Sequence, residues 1–293
     1  LYAEDPAHGF QPTSGPITAF EPPLGPGLRH DVGVRAGDTV SRYYDTLLAK
    51  LIAHGPDRAQ ALRRLAWALE RYVIEGPPTN RELLLAVVIS IPSWLLFELY
   101  NRPRFWRADG PELWWHYQGL PPWPERGFGY AWAFATITPA MLLLAELFRD
   151  LLQRLPRGEG GRIPKEVAWV LMLTGFPLAF LPLVWPSPYF AADVWLAWPL
   201  LLEGVNFLRG RPCLLRDFEK GDRSRFVALL LAGALCGFIW ESLNFLASAR
   251  WVYTVPFAGH LKVFEMPVLG YLGFLPFAVA VFDLWVFLRS LWP

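Results

Sequence analysis

A chain of 293 residues that is 54% hydrophobic, with 15 Trp, 21 Phe and a mean hydropathy of +0.26, is too apolar for an ordinary soluble protein, whose apolar share lies nearer ~45–50% even with Gly counted. Its formal charge of +1 is unevenly spread, and the basic residues stand between apolar blocks instead of along one face, which excludes a nucleic-acid footprint. Two cysteines, Cys213 and Cys236, without metal-ligand spacing give neither a disulfide framework nor a zinc site.

Residues 1–45 are rich in Gly and Pro, and the runs Pro16–Phe20 and His30–Val34 predict short strands between turns. From Pro56 to Tyr72 the pattern turns helical: Ala61, Leu62, Leu65, Ala68, Leu69 and Tyr72 share one face, with Arg58, Arg63, Arg64, Glu70 and Arg71 mostly on the other. The first 80 residues carry no secretory signal, and the chain opens on Leu1 instead of Met, so a natural start further upstream is expected.

Beyond Glu82 six apolar blocks follow, at about 83–100, 128–148, 167–185, 189–207, 226–247 and 266–288. Each is long enough for a membrane helix, which needs roughly 17–25 residues. Pro92, Pro139, Pro177, Pro182, Pro199 and Pro276 within them are tolerable where neighbours satisfy the freed carbonyls. The expectation is an all-α bundle of about six spans, embedded in a lipid bilayer. Lys and Arg set its orientation. One side carries Arg149, Arg154, Arg157, Arg162, Lys165, Arg209, Arg211, Arg216, Lys220, Arg223, Arg225 and Arg289; the other has only Arg102, Arg104, Arg107, Arg126, Arg250 and Lys262. The bias places both termini in the cytoplasm, as in a multi-pass protein of a bacterial-type inner membrane.

Before the first block, eight short motifs occur in a fixed order: Ala3-Glu4-Asp5-Pro6, Gly9-Phe10-Gln11-Pro12, Ser14-Gly15, Gly25-Pro26-Gly27-Leu28-Arg29, Tyr43-Tyr44-Asp45, Ala49-Lys50-Leu51-Ile52, Ile74-Glu75-Gly76 and Thr79-Asn80. Together they resemble the C-terminal subdomain of biotin carboxylase, as found in acyl-CoA and pyruvate carboxylases. The resemblance implies an α+β fragment over residues 1–87 joined to a transmembrane domain over 88–293. It further implies biotin as cofactor, a biotin carboxyl carrier as partner, and a family reaction in which ATP and bicarbonate carboxylate biotin at N1. The arginine at the position of Arg29 then contacts bicarbonate and the biotin ureido oxygen. Deprotonating N1 puts negative charge on that oxygen, and a fixed guanidinium stabilises it by charge-assisted hydrogen bonds. Asp45 and Lys50 are expected to hold the fold, and Tyr43 and Tyr44 to pack. The ATP-grasp domain and metal-binding carboxylates of the family are absent from the 293 residues, so no complete catalytic set is expected, and none of the residues is assigned to a metal.

The membrane part carries an internal repeat. Phe97-Glu98-Leu99-Tyr100-Asn101 matches Trp240-Glu241-Ser242-Leu243-Asn244, 143 residues later. Each is followed by an aromatic loop, Trp114–Pro121 and Trp251–Pro256, and by a Gly-Tyr entry into the next span, at Gly129-Tyr130 and Gly270-Tyr271. The third and fourth spans lack partners, which reads as a truncated parallel four-plus-four bundle, with the join near Val87–Val88 and no linker. This region resembles an uncharacterised family of bacterial integral membrane proteins with the same Glu-x-x-Asn and Trp-x-Tyr elements.

Three spans carry Glu-x-x-Asn: Glu98/Asn101, Glu203/Asn206 and Glu241/Asn244. The i, i+3 spacing puts both side chains on one helix face. A carboxylate in hydrocarbon costs about 2.5–3.5 kcal/mol on insertion scales, so the expectation is an interior polar site shared by the three pairs, against interhelical hydrogen bonding alone at about 0.6 kcal/mol per contact. Glu146, Asp193 and Asp283, nearer span ends, are expected to be solvated. His116 has no ligand neighbours. Two readings stay open: a ligase component with a membrane anchor, or a transporter-like or lipid-acting bundle carrying the carboxylase fragment as a passenger, including one created by a gene-level or assembly accident.

Overall fold

A dense run of Gly and Pro allows only short strands, and the described part of the first 80 residues holds eight of them, paired in four ladders, with one helix. The computed structural model describes residues 1–8, 10–101, 112–119, 125–152, 158–256 and 261–290. Contacts divide the chain into two units, Leu1–Ile89 and Ser90–Pro293.

In the first unit β1 (Glu4–Asp5) pairs with β2 (Gln11–Pro12), β3 (Gly15–Pro16) with β6 (Thr39–Val40), β4 (Ala19–Glu21) with β8 (Val73–Glu75), and β5 (Leu28–Val32) with β7 (Ala49–Ala53), all antiparallel. The strand expected over Pro16–Phe20 is split, because Ile17 donates to Asp38 and Thr18 to Glu75, switching the chain from one partner to the next. The strand expected over His30–Val34 runs two residues earlier, over β5. α1 (Arg58–Arg71) starts at Asp57, whose carboxylate accepts the Gln60 N–H at 2.7 Å, a side-chain N-cap. Its buried Ala68 and Leu69, with Tyr72 just beyond, occupy the face the periodicity assigned to the core. A further core gathers Ala3, Ile17, Val40 and Leu48 with Phe20, Val34 and Ile74. Tyr43 and Tyr44 do not pack: they are 79% and 83% exposed. They stand on a turn in which the Ser41 hydroxyl accepts the Tyr43 N–H, holding both rings off the core.

In the second unit, and entering it, six long helices coincide with the six apolar blocks: α2 (Arg81–Asn101), α3 (Glu125–Leu152), α4 (Lys165–Val184), α5 (Ala191–Leu208), α7 (Ser224–Leu246) and α8 (Phe274–Arg289), with a short α6 (Leu214–Glu219) before α7. Among the described residues three helical segments are long and apolar enough to cross a membrane: Lys165–Val184, Ser224–Leu246 and Val268–Arg289. The last block does not begin as α-helix at 266. There β12 (Met266–Pro267) pairs with β11 (Lys262–Val263), and residues Val268–Gly273 wind as a 3-10 turn before α8. α4 packs along α5, α5 on α8, and α7 on both α3 and α8. Small residues set the closest approach: a Cβ on Gly204 of α5 would sit 2.6 Å from the Ala168 carbonyl oxygen of α4. The two aromatic loops meet as a ribbon, β9 (Trp115–Gln118) antiparallel to β10 (Arg250–Tyr253). Of the residues invoked for motifs and orientation, Gly9, Arg102, Arg104, Arg107, Leu120, Pro121, Arg154 and Arg157 lie outside the described residues.

Candidate functional site

In the first unit the motif residues act mainly by holding the backbone. Gly27 has φ +73°, and a Cβ there would clash with the His54 carbonyl oxygen. That close approach feeds the chain into β5, where Arg29 stands opposite Ile52. Asn80 is buried; it accepts the Tyr2 N–H at 3.0 Å and donates to Glu4 at 3.1 Å, tying the start of α2 to β1. Asp45 accepts the Leu47 N–H at 3.0 Å, and Lys50 lies in β7 opposite Asp31. Arg29 itself is presented outward: its side chain is 69% exposed, and one terminal nitrogen pairs with Asp31 at 3.1 Å. Such a guanidinium retains donors for a carbonyl or carboxylate oxygen, so the residue present suits bicarbonate and the ureido oxygen of biotin.

In the second unit each repeat builds the same clasp at the end of a helix. At the end of α2, Asn101 Oδ1 accepts the N–H groups of Trp114 and Trp115 at 2.9 and 3.1 Å, and Nδ2 donates to the Trp115 carbonyl at 3.0 Å. One turn back, Glu98 Oε1 accepts from Tyr117 Oη at 2.8 Å and Trp115 Nε1 at 3.3 Å. At the end of α7 the pattern recurs. Asn244 exchanges two 2.9 Å bonds with the Trp251 backbone, and Glu241 Oε1 accepts from Tyr253 Oη at 2.7 Å and Trp251 Nε1 at 3.1 Å. Burial and the Glu241 charge push the Tyr253 phenol well above its ordinary 10, so it remains a donor.

The clasps are joined through the ribbon. Trp115 pairs with Tyr253, and Tyr117 with Trp251. Residues two apart on a strand share a face, as do directly opposed partners. All four rings therefore lie on one face of the ribbon, each repeat's carboxylate holding its own Trp and Tyr. Glu241 is fully buried, and its Oε2 has no hydrogen bond among the described residues.

The third pair forms a separate cluster. Glu203 Oε1 accepts the Leu215 N–H of α6 at 2.6 Å, and Asn206 Nδ2 donates to the Asp283 carbonyl of α8 at 3.0 Å. The Asp283 carboxyl interacts with both the Glu203 carboxyl and the Asn206 side chain. The Asp283 carboxyl therefore finds its polar neighbours within this cluster, in Glu203 and Asn206, and not in solvent. Asp283 is thus not solvated: it is 0% exposed, because the tenth residue of α8 faces α5. The charge alone, one carboxylate in an apolar helix, was the signal that could have marked it. Beside it, burial and then the Glu203 charge push the Cys213 thiol up to about 12, which keeps it protonated. Among the described residues no three His, Cys, Asp or Glu side chains converge as metal ligands.

Residues 1–92 match the biotin carboxylase C-terminal domain family. Over 92 residues the chain is 45% identical to the mitochondrial propionyl-CoA carboxylase alpha chain of Homo sapiens, covering 31% of this chain and 13% of that protein. Over 80 residues it is 48% identical to the biotin carboxylase of a Nostoc species, covering 27% of this chain and 18% of that protein. The chain therefore spans less than a fifth of these relatives. Among solved structures, the complete multifunctional pyruvate carboxylase of Rhizobium etli shares 39% identity over 30% of this chain and 9% of that one, with a TM-score of 0.29.

Proposed function

We propose that residues 1–92 serve as the biotin-side subdomain of a biotin carboxylase, carried on a membrane-embedded helical bundle with both termini cytoplasmic. The match over residues 1–92, with Arg29 presented outward from β5, carries this reading. Arg29 exchanges its Asp31 partner for bicarbonate and for the ureido oxygen of biotin borne on a carboxyl carrier. Biotin, when bound, supplies the nitrogen that takes up CO2. The guanidinium stabilises the negative charge that develops on the ureido oxygen. ATP activation of bicarbonate falls to a nucleotide-binding domain beyond these residues, in the same polypeptide or another.

The test uses the whole 293-residue chain in detergent with Mg-ATP, bicarbonate and free biotin. It forms no ADP alone, and ADP formation appears when a biotin carboxylase truncated before its C-terminal subdomain is added. Arg29→Met lowers the complemented rate by about 10²-fold or more, the scale of losing one charge-stabilising donor. ADP formation by the chain alone, or an unchanged rate for Arg29→Met, refutes the reading.

One observation favours a second reading, in which the bundle is the functional unit and the first unit a passenger. The buried side chains of Glu203, Asn206 and Asp283 converge inside an apolar bundle, and such groups are retained in hydrocarbon mainly where they act. Transport or lipid chemistry lost in Asp283→Asn, with ADP formation in the complemented assay unaffected, would select it.

A further inference from the structure

A cavity of about 760 Å³ opens where α4 begins, α5 ends and α6 follows, within the ~300–1,000 Å³ range of ligand sites. Four cations line it, Arg162, Lys165, Arg209 and Arg216, against two carboxylates, Glu166 and Glu219. Glu219 is already engaged, accepting the Ile163 N–H at 3.0 Å. None of the four cations has a carboxylate partner among the described residues. Arg216 is held in place by its 2.9 Å bond to the Phe207 carbonyl and by lying 5.0 Å over the Phe207 ring, and its Nε–H is buried without an acceptor among the described residues. Arg209 leans over Phe287. At α4 the N-cap is Pro164, with no side-chain cap, so first-turn N–H groups at Lys165 and Glu166 add positive potential to the same cavity.

From this cavity an apolar stripe leads away along α4. Trp169, Leu173, Phe176 and Phe180 are 54%, 72%, 55% and 41% exposed, and their spacing of four, three and four places them on one helix face. A fixed guanidinium, further cations and helix N–H groups suit a phosphate oxyanion. The stripe suits a hydrocarbon chain attached to it. We propose that this cavity binds a phosphate group, and that its occupant is an anionic phospholipid whose acyl chain lies along the α4 stripe. The lipid half rests on the membrane reading above; the phosphate half does not.

The whole chain is reconstituted into phosphatidylcholine vesicles with and without phosphatidylglycerol, re-extracted, and its retained lipid measured by native mass spectrometry. In parallel, inorganic phosphate alone is tested for thermal stabilisation in detergent. The wild type is expected to retain phosphatidylglycerol over phosphatidylcholine. Arg209→Gln/Arg216→Gln and Arg162→Gln/Lys165→Gln each reduce that preference about tenfold, the scale of one lost charge-assisted hydrogen bond. Lys220→Gln/Arg223→Gln removes equal charge outside the cavity and leaves the preference intact. An equal loss in this control shows general attraction to the basic loops and overturns the site. Stabilisation by inorganic phosphate that is lost in the cavity variants, with no lipid preference, supports the phosphate half and overturns the lipid half. A chain that fails to float with any vesicle overturns the membrane reading while the phosphate arm still decides the site. No response in either arm overturns the proposal.

Discussion

Replacing Asn101 by Ala tests whether the Glu-x-x-Asn pairs hold the aromatic loops. Asn101 is 0% exposed, and its side chain satisfies two backbone N–H groups and one carbonyl at the start of β9. Trp114 and Trp115 are only 2% and 5% exposed, so water cannot replace the lost partners. Each buried group left unpaired costs about 1–3 kcal/mol. Because the two N–H groups share one acceptor, the sum is nearer 2–5 kcal/mol, a shift of tens- to thousands-fold in the unfolding constant. Asn244→Ala removes two bonds, and Trp251 is only partly buried. Its cost is smaller, about 1–3 kcal/mol. Glu98→Gln keeps an acceptor for Tyr117 and Trp115 and stays within about 1 kcal/mol of wild type. Reversible unfolding of the whole chain in mixed micelles, followed by far-UV circular dichroism, gives the three values. If both Asn variants unfold within ~0.5 kcal/mol of wild type, the typical range for surface changes, the clasp is not structural and the reasoning fails.

Three further outcomes follow from other contacts. Gly204→Val drives side-chain atoms into Ala168 and Met172 of α4 and lowers stability by about 1–3 kcal/mol or more through overpacking; a neutral result means α4 and α5 are not in this contact. The phenol of Tyr72 is buried without a hydrogen bond among the described residues, and burial pushes it up to about 12 from 10. The folded state thus holds the proton longer than the unfolded one, and stability falls as pH rises from 10 to about 12. Tyr72→Phe abolishes that alkaline loss in a pH series of unfolding midpoints, whereas an unchanged slope assigns it elsewhere. For topology, a labelling position needs open space, and a Cβ at Gly161 meets nothing within 4 Å. Gln118→Cys and Gly161→Cys, with Cys213 and Cys236 buried, should label from opposite sides of the membrane in intact cells; equal labelling refutes the orientation.

The amino-acid order alone determined where the composition changes, the helical character of six apolar blocks and the relationship of residues 1–87, which the family match carries on to 92, because those rest on local period and on ordered motifs such as Gly25–Arg29 and Thr79-Asn80. It also placed Glu98 with Asn101 and Glu241 with Asn244 on single helix faces, since i, i+3 spacing depends only on helix geometry. What stands opposite such a face is a tertiary matter. The spacing could not say that Asn101 and Asn244 bind the backbone of the following loop, or that Trp115 and Tyr117 bring their polar edges to Glu98 while Trp251 and Tyr253 do so at Glu241. Glu203 shows the limit most clearly. It carries the same motif as the other two, yet it faces α6 and Asp283, because α5 packs between α4 and α8. The face of Asp283, the exposure of Tyr43 and Tyr44, and the delayed start of α8 after the 262–267 hairpin were decided the same way. Burial, unlike periodicity, is a property of the neighbours that packing supplies.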